Sequence, residues 1–280
     1  MRMESIRFTF IQPCPELSRD IECIRIATQT ASHAAEVKTC PSGYPGIVFH
    51  LAEDGLGAIE SISTRASRTT ALPALFLHGQ DAEPSVMRFR AIPYTTIQVV
   101  FKSHALYSLF GWDAARLRGR WLPAVRFGAS ELERSLLSTS ADAERVRSIE
   151  RFLTERLALA NRRDELVERM VEFMRERIAE LSVSRAVAAF PISERQFQKR
   201  FARVVGLPPQ LFVRLLRANE AIRLMESGRF ERLSDVAHEM NYYDQSHFIR
   251  EIRTFSWVNP KQLYGKEEEL HVDETGASYT

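Results

Sequence analysis

The sequence predicts an α+β chain of two domains: an N-terminal β-rich sandwich or barrel with trailing helices, then an all-α C-terminal domain. Three observations carry this expectation. Up to Lys102, apolar and polar residues alternate in short runs separated by Gly, Pro, Asp and Ser turns. Past Ser103 the apolar period lengthens to that of a helix. Beyond the interruption Asn161–Arg162–Arg163–Asp164, one helical design occurs twice, about 51 residues apart. The expected extents are residues 1–160 for the β-rich part with its helices, 164–266 for the helical domain, and 267–280 for a polar, acidic tail without structure.

Taken in order, Ser5–Ile11 (SIRFTFI) and Glu22–Thr28 (ECIRIAT) alternate as half-buried strands do. Cys40–Gly46 (CPSGYPG) is a dense turn cluster. Gly46–Ala52, Ala58–Ser63, Ala74–His78, Ser85–Ile92 and Thr95–Lys102 continue the strand series. His104–Phe110 and Asp113–Leu117 read as short helical pieces. Ala129–Leu137 and Ala143–Leu159 read as amphipathic helices, the second capped by Asp142. Asp164–Leu181 opens the helical domain.

Ser193 and Gln196 are spaced as a capping box, and Phe197, Phe201 and Val204 form one apolar stripe behind them. Gly206 and Pro208–Pro209 end that helix. Its outer face carries Arg195, Gln198, Lys199 and Arg203, long donors able to reach base edges and phosphates. Downstream, Asp244 can cap a second such helix, with Phe248, Ile252 and Phe255 on its stripe and Ser246, His247, Arg250 and Arg253 outside it. Phe197 corresponds to Phe248, Phe201 to Ile252 and Pro209 to Pro260. Each helix follows a shorter one, Ser182–Phe190 or Leu233–Met240, across a tight turn. Two short helices joined this way are the helix-turn-helix plan, whose second helix enters the major groove. Between the units, Gln210–Ser227 reads as a rigid spacer helix ended by Gly228.

These strings, SERQFQKRFARVVGLPPQ, RANEAIRLM and DVAHEMNYYDQSHFIREIRTFSWVNPKQLY, resemble the DNA-binding domain of the AraC/XylS family. The resemblance covers about Asp164 to Lys266 and implies two helix-turn-helix units on a shared linker helix. It implies base-facing roles for Arg195, Gln198 and Lys199 in the first reading helix and for Ser246, His247 and Arg250 in the second, with Gln245 placed for a phosphate. The β-rich part is similar to the cupin-like sensor halves common in that family, and the run from TTIQVVFK to FGWDAARL looks like one such subfamily. The chain departs from the pattern at Pro191 and Asn241, where turn glycines are usual, at Trp257, at Ile252, and in the order Ala186–Val187. Asn tolerates a left-handed backbone, whereas Pro191 demands a differently built turn. These departures bear on the angle of the reading helices and remove no donor from them.

Charge agrees with a nucleic-acid partner. The chain carries a net +2, yet 181–266 holds 14 Lys+Arg against 8 Asp+Glu, so the remainder is net negative. Three cysteines (Cys14, Cys23, Cys40) without a CxxC spacing argue against a disulfide framework or zinc site. They are also too few for the four-cysteine zinc site of an alkyl-accepting repair domain. No GxSxG, phosphate-binding glycine loop, HExxH or HxH occurs, so no catalytic residue, cofactor or metal is expected. His33, His50, His78 and His104 are expected to be structural, and Tyr44, Trp112 and Trp121 to serve packing rather than a ligand cavity. With no apolar run long enough to span a bilayer and no leader-like segment, a cytoplasmic protein is expected. The expected partners are double-stranded DNA and RNA polymerase. The β-rich part either takes a small-molecule effector or serves as an interaction module that pairs two copies of the chain.

Overall fold

The computed structural model describes residues 6–30, 34–65, 68–69, 72–181, 183–257, 259–260, 270–273 and 276–279. His33 and the expected domain end at Lys266 lie outside them.

Twelve strands among the described residues form two antiparallel sheets. The first sheet has the order β1 (Ile6–Ile11), β2 (Ile21–Gln29), β9 (Tyr94–Phe101), β4 (Gly46–Ala52), β7 (Leu75–His78), β10 (Trp121–Pro123). Its side chains alternate between two environments. Ile24, Ile26, Ile47, Phe49, Leu75, Leu77, Ile97 and Val99 point to one face. There they pack on α1 (Ala105–Phe110), α2 (Ser130–Ser138) and α3 (Asp142–Ala160) through Leu106, Leu109, Leu136, Val146, Ile149 and Leu153. The residues between them, Arg25, Ala27, Val48, Phe76, His78, Thr96 and Gln98, face the second sheet across a cavity.

That second sheet runs β11 (Leu270–Asp273), β12 (Gly276–Tyr279), β3 (Ala35–Thr39), β8 (Ser85–Phe89), β5 (Ile59–Thr64), β6 (Arg68–Thr69). The architecture is thus a two-sheet sandwich backed by helices. The tail, expected to be unstructured, instead pairs as a hairpin and adds β12 to the edge of β3 at Thr39 and Lys38. An open strand edge offers backbone donors and acceptors, so pairing there needs no apolar face on the added segment. Asp142 is not the cap of α3 either. Ala141 holds that position and Asp142 lies in the first turn, where its carboxylate accepts from Arg145 Nη1 at 3.0 Å.

Asn161 ends α3 in a left-handed conformation (φ 41°), and Asp164 opens α4 (Glu165–Glu176) by accepting from the Val167 N–H. There follow α5 (Val183–Ala188), α6 (Glu194–Val205), α7 (Pro209–Ser227), α8 (Leu233–Glu239) and α9 (Gln245–Phe255). Their core is one cluster built on Met170, Met174, Phe197, Phe201, Phe212, Ile222, Val236, Phe248 and Ile252, and it extends to Cys40 and Ala82 of the β-rich part.

The two parts meet along a polar and aromatic seam. Arg163 grips the fully buried Asp20 through Nη2 at 2.6 Å and Nη1 at 3.1 Å, and Arg19 pairs with Glu168 at 2.8 Å. Burial would raise the Asp20 pKa, but hydrogen bonds from His104, Arg163 and Ser108 outweigh it and hold the carboxyl at about 2. Asn219 of α7 donates to the Pro41 carbonyl at 2.8 Å, and the Arg175 guanidinium lies 4.1 Å over the Tyr44 ring.

Candidate nucleic-acid interface

Both helix-turn-helix units take the local form their residues dictate. In the first, the Ser193 Oγ accepts from the Gln196 N–H and the Gln196 side chain accepts from the Ser193 N–H, closing the capping box of α6. The preceding turn, with Pro191, contains no left-handed residue; the Ile192 N–H bonds the Phe190 carbonyl at 2.8 Å. In the second unit Asn241 takes φ 55°, the conformation usually given to glycine, and the Asp244 carboxylate caps α9 by accepting from the His247 N–H at 2.6 Å. Phe197, Phe201, Phe248 and Ile252 are all fully buried behind the two helices.

The faces opposite these stripes carry the expected donors. Arg195 and Lys199 are exposed on α6, and Gln198 is half-buried with its amide donating to Glu194 at 3.0 Å. On α9, Gln245, Ser246 and Arg250 are exposed, while His247 sits edge-on to the buried Tyr242 ring at 5.5 Å. Arg203 stands apart. Its guanidinium lies 5.3 Å over Tyr107 and 4.0 Å from Asp164, so it faces the β-rich part rather than the Arg195–Lys199 face.

Two ion pairs that sequence patterns did not reveal fix the helices to their supports. Arg200 of α6 donates to Asp164 at 2.6 Å, and Arg214 of α7 grips Glu251 of α9 with two hydrogen bonds of 2.9 and 2.8 Å. Such planar bidentate pairing sets an angle as well as a distance. The only sequence cue was an acidic residue, Glu251, close to the apolar stripe of α9.

The cavity between the sheets has a volume of about 230 Å³. Its wall includes Phe8, Phe76, Met87, Phe89 and Trp121, with Arg25 donating to Gln98 among them. Tyr44 and Trp121, expected to serve only packing, line this space, whereas Trp112 stacks on Phe110 at 4.7 Å. Which aromatics reach the cavity depends on which sheet face they occupy, and local sequence does not encode that. Of the histidines, His50 is structural: Nδ1 accepts from the Ile59 N–H and Nε2 donates to the Pro73 carbonyl. His78 lines the cavity, and desolvation lowers its pKa to about 4. Among the described residues, no group of three or more His, Cys, Asp or Glu side chains is placed to hold a metal ion. No helix among them is long and apolar enough to cross a membrane.

Residues 186–264 match the family described as a helix-turn-helix domain, in register with α5 through α9. This part of the chain is a helix-turn-helix domain. Residues 9–123 match a domain of unknown function, DUF6597, which spans β1 to β10. No curated protein matches the chain. Among solved structures, ToxT from Vibrio cholerae aligns at 10% identity over 93% of this chain and 98% of its own, with a TM-score of 0.47. A structure of ToxT with an unsaturated fatty acid bound aligns at 13% identity over 94% and 97%, with a TM-score of 0.46. The AraC-like transcriptional activator CuxR aligns at 12% identity over 82% and 70%, with a TM-score of 0.22. The chain joins a domain of two helix-turn-helix units to a β-rich domain.

Proposed function

We propose that this protein is a sequence-specific transcriptional regulator of the AraC type that reads successive major-groove segments with α6 and α9. The observation that carries the proposal is the repeated donor face opposite the core, Arg195–Gln198–Lys199 on one helix and Gln245–Ser246–His247–Arg250 on the other, each backed by a buried aromatic stripe. Arg203 serves the seam with the β-rich part instead. In the same proposal the cavity between the sheets holds a small effector with an apolar body and a polar group, because its wall is apolar over the larger part and carries Arg25, His78, Gln98 and Arg120 in the rest.

The test is selection of bound duplexes from a random pool with the full chain at two salt concentrations. A two-part site with roughly one helical turn between halves is expected. Lys199→Ala and Arg250→Ala should each cost about 1–3 kcal/mol and relax the base preference at one position, in different halves. Binding that shows no enrichment and vanishes as salt rises would refute sequence-specific reading.

A further inference from the structure

The second reading helix ends in an unusual way. Ser256 leaves α9 in an extended conformation (φ −136°, ψ 163°), so the left-handed turn that commonly absorbs a helix's last carbonyls is absent here. Part of the task falls to the local chain. The Ser256 N–H and Oγ both donate to the Ile252 carbonyl, at 2.8 and 2.9 Å, and Thr254 Oγ1 donates to the Arg250 carbonyl.

The next carbonyls are taken by a residue of the other domain. Arg65, just past β5, donates from Nη2 to Arg253 O at 2.6 Å and to Ser256 O at 2.8 Å, and from Nη1 to Thr254 O at 3.3 Å. The same guanidinium lies 5.1 Å over the Trp257 ring. A cation at this end of a helix also meets the negative pole of its dipole. Trp257, where the family pattern has glycine, is therefore part of a different closure: an aromatic platform beneath a capping cation supplied across the domain seam.

We propose that Arg65 is a positioning residue for the second reading helix, holding the angle at which Ser246, His247 and Arg250 are presented to DNA. This rests on the reading of α9 as a groove helix. The buried stripe of Phe248, Ile252 and Phe255 fixes rotation about the helix axis, and the Arg214–Glu251 pair ties its middle to α7. One tie at the middle still leaves a pivot; a second, at the C-terminal end, fixes the direction. At about 1.5 Å per residue, the base-facing first turn is roughly 15 Å from that end, so a small tilt there displaces the reading side chains appreciably. Arg65 thereby makes the β-rich domain part of the recognition apparatus without contacting DNA.

The experiment uses the full chain as wild type, Arg65→Ala and Arg65→Lys, and reads two quantities. The first is hydrogen exchange in the last turn of α9, which needs no DNA; it should speed up in Arg65→Ala. The second is the base-preference profile across the two-part site. Arg65→Ala should flatten the half read by α9 and weaken binding roughly tenfold, as expected for losing a set of charge-assisted hydrogen bonds, with the α6 half and the salt slope unchanged. Arg65→Lys should fall between, because an ammonium restores the charge but not the planar three-carbonyl grip. Unchanged preference in the α9 half would overturn the proposal. An equal loss in both halves with a shallower salt slope would overturn it too, making Arg65 a phosphate contact. If the wild-type chain selected no site, the regulator reading and the recognition role would fall together. The exchange measurement would still decide whether Arg65 holds the helix end.

Discussion

His50 stands fully buried in β4 with both ring nitrogens committed, accepting from Ile59 N–H at 3.1 Å and donating to Pro73 O at 3.0 Å. Gly57 lies so close that any Cβ there would come within 2.9 Å of the ring. Desolvation lowers its pKa to about 4, against 6.5 for a free imidazole, so the folded state holds the neutral ring. The unfolded chain then binds the extra proton first as pH falls. Stability is fully present above about pH 6.5 and is lost as pH drops towards 4, by an amount on the order of 3 kcal/mol for this one residue. Urea unfolding at pH 7, 5.5 and 4.5 measures it, and His50→Gln should lose His50's share of that slope. His78 shares the direction, since desolvation lowers its pKa as well, so a residual dependence should persist in the variant. A variant as pH-sensitive as the wild type would show that His50 is not the group responsible. Asp20 acts lower on the scale, its contribution present above about pH 3.8 and lost as pH falls through about 2.

At the scale of elements, the second helix-turn-helix unit depends on one residue's backbone. Asn241 at φ 55° turns the chain so that Tyr242 enters the core and Tyr243 leaves it 92% exposed. Asn241→Gly should leave thermal unfolding nearly unchanged, while Asn241→Val should cost about 1–2 kcal/mol, because a side chain branched at Cβ is strained in the left-handed region that Asn tolerates. Phe248→Ala is larger, about 3–5 kcal/mol, because it empties a fully buried site. Equal melting of the Gly and Val variants would refute the turn assignment. Features of this kind were legible in the sequence because their causes are local: the Ser193–Gln196 box, Asp244 as a cap, and the Phe197 and Phe248 stripes each lie within a few residues. The long strands β2, β4 and β9 were legible for the same reason. β3, β10 and the tail hairpin were not, because these short segments are held by partners on other strands. Arg65 was invisible for a stronger reason, as it caps carbonyls 188 to 191 residues away. Arg203 had been assigned by its helical face alone, and only the seam with Tyr107 decides where that face points.

At the scale of the molecule, the loop from Cys40 to Tyr44 belongs to two structures at once. It forms part of the cavity wall, and it abuts α7, the helix between the two helix-turn-helix units. Gly43 packs against that helix: a Cβ there would lie 3.3 Å from both Leu215 and Phe212 of α7. Its carbonyl meanwhile accepts from Gln80 and Ser103, each at 2.7 Å. With φ +79° the position favours glycine for its backbone as well, so a simple Gly43→Ala would confound strain with contact. Gly55 separates the two, because it has the same φ of +79° and nothing within 4 Å of its would-be Cβ. Both alanine variants should lose about 1–2 kcal/mol of stability to the left-handed backbone. Only Gly43→Ala should also change the affinity of the full chain for its DNA site, since only there must Leu215 and Phe212 move. Denaturant unfolding of both variants, followed by titration with the selected duplex, supplies the comparison. If the two variants lost stability equally and bound DNA alike, the loop would yield without moving α7, and an occupant of the cavity would have no route through it to the reading helices. A loss of DNA affinity confined to Gly43→Ala would make this loop the point where the β-rich domain acts on the distance between the two heads.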